Sequence, residues 1–201
     1  MGYHSQVGQD RWVCEHFNFK RGGYFLDIGA NDGLQLSNTL TLEKELGWNG
    51  LCIEPGRHAF AKLNKNRRYA LNVAISNKDE HVQFNEVGLI GCIDPAGTQG
   101  IEALTLRTLF TKYNPPTLID YVSLDIEGGE YNALCGFPWD THQVILWTIE
   151  HNMYVDGGVQ KAKIKRIMEN KGYVIVKSDV DYMEDWWINT KYNGLDNGRT
   201  V

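Results

Sequence analysis

No stretch of this 201-residue chain approaches the ~18 consecutive apolar residues that a membrane-spanning helix needs. The amino-terminal run MGYHSQVGQDRWV lacks a basic region followed by an apolar core, so it does not read as a secretory leader. Gln6 stands where N-myristoylation requires Ser or Thr. The four cysteines, Cys14, Cys52, Cys92 and Cys135, form no Cys-x-x-Cys pair, which argues against zinc-ribbon and thioredoxin-like sites and fits reduced thiols in the cytoplasm. Positive charge is in deficit: 20 Lys and Arg against 25 Asp and Glu leave a net charge of −5. A nucleic-acid surface built on phosphate contacts would need the opposite balance. Repeats, low-complexity stretches and linkers are also missing. The expectation is one domain over residues 1–201, either complete or part of a longer protein.

What is present is an alternation of short apolar runs and helical segments. Strands are expected at 24–29, 51–54, 71–75, 121–125, 144–150 and 173–177. Helices are expected at 37–46, 59–66, 132–135 and 161–170. Such alternation predicts an α/β fold with a mostly parallel sheet. Residues 82–104 keep neither period and read as a hairpin or loop excursion.

The segment YFLDIGANDG (24–33) drives an apolar strand into a turn holding Gly29 and Gly33. A ligand can meet backbone N–H groups at such a turn, and Gly29 removes the Cβ that would block it. Asp27 ends the strand. Glu54 ends the next one in LCIEP, 21 residues after Gly33, where an acid accepts both hydroxyls of a ribose. The turn reads Gly29-Ala-Asn-Asp-Gly33, without the middle glycine that admits a pyrophosphate, and Asp27 and Asp32 would repel phosphate. A nucleoside with a cationic end fits better, and S-adenosylmethionine (SAM) has both an ammonium and a sulfonium.

The motifs SQVGQD (5–10), FLDIGANDG (25–33), SNTLTLEKELGWNGLCIEP (37–55), NVAIS (72–76), YVSLDIEGGE (121–130) and IEHN (149–152) occur in one order. Together they resemble the FkbM-type methyltransferases of the class I, Rossmann-like SAM-dependent superfamily. The resemblance implies a doubly wound seven-stranded sheet with helices on both faces and an antiparallel last strand, for which DWWIN (185–189) is the candidate. It implies methyl transfer from SAM to an oxygen, often a sugar hydroxyl, with S-adenosylhomocysteine as product. By the same resemblance Asp27, Gly29, Asn31, Asp32 and Gly33 would line the methionine half of SAM. Ser37 and Asn38 would donate to its carboxylate, Glu54 would take the ribose, and Ala74 and Ile75 would flank the adenine. Gln6, Gln9 and Asp10 would stand at the cofactor's open end. Ser123 replaces the Lys of many relatives in the Lys-Ile-Asp motif, a mark of subgroup.

In SLDIEGGE (123–130) three acids follow a strand. At a switch point of the sheet Asp125 should face the same crevice as Asp27. A weakly nucleophilic hydroxyl needs a base, for which Asp125, Glu127, Glu130 and His151 are candidates. A hard cation such as Mg²⁺ could instead be held by Asp125 and Glu127. Glu130 would equally suit the first turn of a helix, and Glu150 is a further acid. NPPT (114–117) reads as a loop, and Lys161 and Lys165, with Lys62, Lys65, Arg67 and Arg68, read as solvated faces. Tyr182, Trp186, Trp187 and Tyr192 offer either a sugar-stacking surface or core packing. The expected acceptor is a carbohydrate, with no nucleic acid and no membrane span. The competing readings are a small non-sugar metabolite such as a polyketide, or a SAM-binding module without activity.

Overall fold

The computed structural model describes residues 1–87, 90–181 and 183–192. In chain order the elements are α1 (Gln9–His16), β1 (Tyr24–Ile28), α2 (Leu40–Lys44), β2 (Asn49–Ile53), α3 (Arg57–Asn66), β3 (Ala70–Leu71), β4 (Ala74–Ile75), β5 (Glu80–Val87), β6 (Ile90–Ile93) and β7 (Gln99–Leu104). There follow α4 (Leu106–Tyr113), β8 (Leu118–Leu124), α5 (Glu130–Cys135), β9 (Gln143–Glu150), α6 (Met153–Asp156), α7 (Val159–Asn170), β10 (Tyr173–Val180) and β11 (Glu184–Asn189). Among the described residues no helix is long and apolar enough to cross a membrane.

The main sheet has seven strands in the order β10-β11-β9-β8-β1-β2-β3. All run parallel except β11, which pairs antiparallel with both β9 and β10. This is the doubly wound sheet expected, and DWWIN lies within its antiparallel strand. Successive side chains point to opposite faces of a strand, so each strand feeds two cores. Leu26, Ile53, Val122 and Trp147 pack with Leu106 of α4, Leu134 of α5 and Met168 of α7. Phe25, Cys52, Tyr121 and Leu146 pack on the other face with Val13 of α1, Leu42 of α2 and Leu63 of α3. The strand order reverses between β1 and β8, which places a crevice at their carboxyl ends.

The segment expected as one strand at 71–75 divides. β3 pairs with β2, whereas β4 pairs with β7 in a separate four-stranded sheet, β4-β7-β5-β6. Asn72 lies at the division, its Nδ2 donating to the carbonyls of Glu54 and Pro55 at 2.9 and 3.0 Å. The small sheet is the excursion expected at 82–104, a hairpin of β5 and β6 closed by β7.

The carboxyl-terminal aromatics resolve into core packing. Trp186 and Trp187 are 1% and 0% exposed, Tyr192 packs against the α1–α3 core, and Tyr182 lies outside the described residues. Trp186 stacks on Trp12 with ring centroids 4.8 Å apart. The sugar-stacking reading of these residues is therefore corrected: an interior strand of the sheet covers both faces of its side chains.

Candidate active site

A cavity of about 810 Å³ opens over the carboxyl ends of β1, β2, β8 and β9, within the usual size range of ligand sites. Gly29 turns the chain out of β1 with φ +92°, and a Cβ there would lie 1.6 Å from the Asp125 carbonyl oxygen. The two strand ends thus touch through a glycine, and their following loops form the cavity floor. Gly33, with φ +76°, does not line the cavity; a Cβ on it would strike Leu63 and Arg67.

Glu54 hangs on this floor. Its Oε2 accepts the Asn31 N–H at 2.9 Å and its Oε1 the Gly56 N–H at 2.7 Å. Burial raises its carboxyl to about 7, although the two backbone donors oppose the rise. Asp27 also lines the cavity, but its carboxylate is engaged from behind by the Thr39 hydroxyl at 2.5 Å and the Arg67 guanidinium at 3.7 Å. Burial raises it, with Arg67 pulling the other way.

Arg67 corrects the reading of its neighbourhood as a solvated charge run. Its side chain is 0% exposed. It binds Glu43 at 3.1 Å, Ser37 Oγ at 3.1 Å, Thr39 Oγ1 at 2.8 Å and the Gly33 carbonyl at 3.3 Å. The signal was weak, since KNRR does not say which basic side chain turns inward.

Ser37 and Asn38 line the cavity. Ser37 Oγ accepts the Leu40 N–H at 3.2 Å, and Asn38 Nδ2 donates to Ser123 Oγ at 2.9 Å. Asn38 Oδ1 is buried without a partner among the described residues. Ala74 and Ile75 of β4 line the wall with Phe84 of β5, and Gln6 and Gln9 lie at the opening. Two further expectations fail on geometry. Asp32 is turned away, its Oδ1 accepting the N–H groups of Leu34 and Gln35, each at 2.9 Å. Asp10 is 0% exposed and ties down the amino terminus through the His4 N–H and the hydroxyls of Ser5 and Thr41.

The acids past β8 separate. Asp125, Glu127 and Glu150 line the cavity and each offers an oxygen within 4.8 Å of the others. Asp125 is open to the cavity although protein walls it in, and burial raises its carboxyl with Asp27 adding to the rise. Glu150 is driven far upward by burial and by Asp125 beside it, so the pair retains a proton at neutral pH. Glu127, with φ +55°, is raised by burial and then by Asp125. Asn152 Nδ2 clamps the group, donating to Glu150 Oε2 at 2.7 Å and Glu127 Oε2 at 3.2 Å.

Glu130 and His151 do not join them. Glu130 is 0% exposed, and its carboxylate accepts the N–H groups of Ile126 at 2.9 Å and Gly128 at 3.1 Å. It closes its own turn, and burial lifts it to about 7. His151 is 2% exposed and turns away from the cavity toward Asp185, 3.5 Å away. Side chains alternate at the end of β9, so Glu150 takes the cavity and His151 the opposite side. Sequence reasoning favoured the histidine; the strand period was the signal that could have favoured Glu150.

Residues 90–175 match the family model described as the methyltransferase FkbM domain. No curated protein matches the chain significantly in sequence. Among solved structures the chain resembles the methyltransferase FkbM from Methylobacillus flagellatus KT, with TM-score 0.57 and 15% identity over 83% of this chain and 43% of that one. It also resembles the N-terminal domain of human METTL16 in complex with SAH, with TM-score 0.51 and 14% identity over 92% of this chain and 71% of that one. The chain thus spans less than half the length of its FkbM counterpart. At these identities the shared fold names no acceptor. Residues 90–175 are thus similar to the methyltransferase FkbM domain, and the seven-stranded sheet is the fold that the chain shares with these methyltransferase structures.

Proposed function

We propose that the protein moves a methyl group from SAM to a hydroxyl of a carbohydrate acceptor. The carboxylate group Asp125, Glu127 and Glu150, facing the cavity beside the end of β1, carries this reading. SAM would supply an electrophilic methyl on a good, neutral leaving group, so the chain's work is alignment and proton removal.

The cavity residues fit that cofactor. Glu54 presents its carboxylate to a ribose, and the unpartnered Asn38 Oδ1 suits an ammonium donor. Ala74, Ile75 and Phe84 give an apolar wall for adenine. Ser37, Gly29 and Asn31 complete the contact surface, with Gln9 at the opening. Asp125, open to the cavity, takes the hydroxyl proton, while Glu150 keeps its own and holds Asp125 in place through the shared proton. Glu127 and Asn152 fix the pair.

The acceptor assignment rests on the cavity rim. Gln6, Gln35, Asn77, Lys78 and Asn132 line it, and Phe84 is the one aromatic among the described lining residues. Amides and an ammonium match a polyhydroxyl ring better than a flat apolar metabolite. A cluster of acids is a poor surface for a phosphate backbone.

The same three oxygens, within 4.8 Å of one another, favour a second reading in which Mg²⁺ polarises the hydroxyl. Labelled SAM incubated with rhamnose-, fucose- and hexose-containing glycans, and with a polyketide alcohol, separates the acceptors. Label in a glycan supports the proposal. Label in the polyketide alone overturns the acceptor, and SAM binding with no transfer to any substrate overturns the activity. An unchanged rate in EDTA excludes a required cation.

A further inference from the structure

Behind the cavity, on the opposite side of the β9 end, His151, Asp179 and Asp185 converge. We infer that they form a binding site for a first-row divalent cation of the zinc class, in which Lys161 stands as a placeholder. The site lies outside the cavity and is separate from Asp125, Glu127 and Glu150.

The imidazole is the observation that points to a ligand. His151 is 2% exposed, and among the described residues neither ring nitrogen has a hydrogen-bond partner. A buried polar group without a partner is costly. Nε2 is nevertheless aimed at two carboxylates, 3.5 Å from Asp185 Oδ1 and 3.7 Å from Asp179 Oδ1. Those separations are long for hydrogen bonds. They suit a shared metal, because bonds of about 2.0–2.2 Å in a tetrahedron set ligand atoms roughly 3.3–3.6 Å apart. One imidazole with two carboxylates is a donor set for zinc or its neighbours rather than for magnesium or calcium.

Lys161 of α7 extends its ammonium into this space, bonding Asp179 and Ser178 Oγ and lying 3.5 Å from Asp185 Oδ1. One ammonium faces two carboxylates, and Asp185 Oδ2 remains buried without a partner among the described residues. A divalent cation would balance both charges and satisfy Nε2. The Lys161 side chain is 17% exposed, so its ammonium can leave toward solvent.

The consequence reaches the cavity. Asp179 and Asp185 belong to β10 and β11, and Met183 between them lines the cavity while its carbonyl accepts the His151 N–H at 2.7 Å. A metal bound here would staple the β10–β11 hairpin to the end of β9, beside Asn152 and its carboxylates.

The test uses chelator-stripped protein titrated with Zn²⁺ by calorimetry and with Co²⁺ by visible absorption. The expected result is one Zn²⁺ per chain, an intense Co²⁺ d–d band, and at least ~10-fold tighter binding in Lys161→Ala. His151→Ala and the more exposed variant Asp179→Asn should each weaken binding at least ~10-fold, with folding checked by circular dichroism. Glu127→Gln should leave it unchanged. No Zn²⁺ or Co²⁺ uptake by either wild type or Lys161→Ala overturns the site. Uptake abolished by Glu127→Gln but kept in His151→Ala and Asp179→Asn also overturns it.

Discussion

Gly29 and Asp125 meet so closely that a Cβ on the glycine would lie 1.6 Å from the aspartate's carbonyl oxygen. The Asp125 N–H in turn donates to the Ile28 carbonyl at 2.9 Å. This contact brings the ends of β1 and β8 together and so brings the loop after β1 and the acids after β8 to one cavity. Gly29 therefore serves the packing of the two strands. Gly29→Ala should cost about 3 kcal/mol or more, from overpacking and a positive φ. Urea unfolding with an unchanged slope would check this.

Arg67 should behave as a buried cation with two carboxylate partners, Asp27 and Glu43. Removing it as Arg67→Met leaves the buried Asp27 without a counter-charge and Glu43 with Lys44 alone, and the expected loss is about 3–5 kcal/mol. Arg68→Met, one position on and exposed, should move stability by less than ~0.5 kcal/mol. The pair of denaturation curves distinguishes an inward arginine from a solvated run.

Stability should rise as pH falls from about 8 to about 6. Burial lifts Glu54, Glu130 and Glu184 to about 7, well above the ordinary glutamate value. A raised carboxyl binds its proton more tightly in the folded chain, so its stabilising contribution is complete below the unfolded value and is lost as pH rises through the folded one. Each such group is worth on the order of 1 kcal/mol across that window. Glu43 and Glu86 act oppositely. Burial opposes them, yet ion pairing to Lys44 and Arg67 lowers the buried Glu43, and the N–H groups of Ala59 and His58 lower the half-buried Glu86. Their contribution disappears only as pH falls through their depressed values. Thermal unfolding across pH should therefore peak on the acidic side of neutrality.

Glu54→Ala should weaken SAM and SAH binding about 10–100-fold, the worth of hydrogen bonds to a charged acceptor. Calorimetric titration measures it. Turnover at saturating SAM should change far less.

The sheet was legible because its strands are short apolar runs separated by helical periods, and their carboxyl ends fall where Asp27, Glu54 and Asp125 stand. What sequence did not carry was the direction of single side chains. Glu150 and His151 differ by one residue and face opposite sides of β9. Arg67 and Arg68 look alike in sequence, yet one is buried. Glu130 closes its own turn, and Asp32 caps its own loop, because local N–H groups lie nearer than any ligand. Trp186 and Trp187 became core when β11 inserted between β9 and β10, a long-range pairing that no local pattern announces. The strand expected at 71–75 broke because Asn72 binds the carbonyls that follow β2.

The central claim is that Asp125 faces the acceptor as the proton-taking group beside the cofactor. Its most direct test is the single-turnover rate of methyl transfer to a glycan for Asp125→Asn, alongside the SAM dissociation constant of the same variant. A rate reduced at least ~100-fold with SAM affinity unchanged is the expected outcome. An intact rate would contradict the placement of the site.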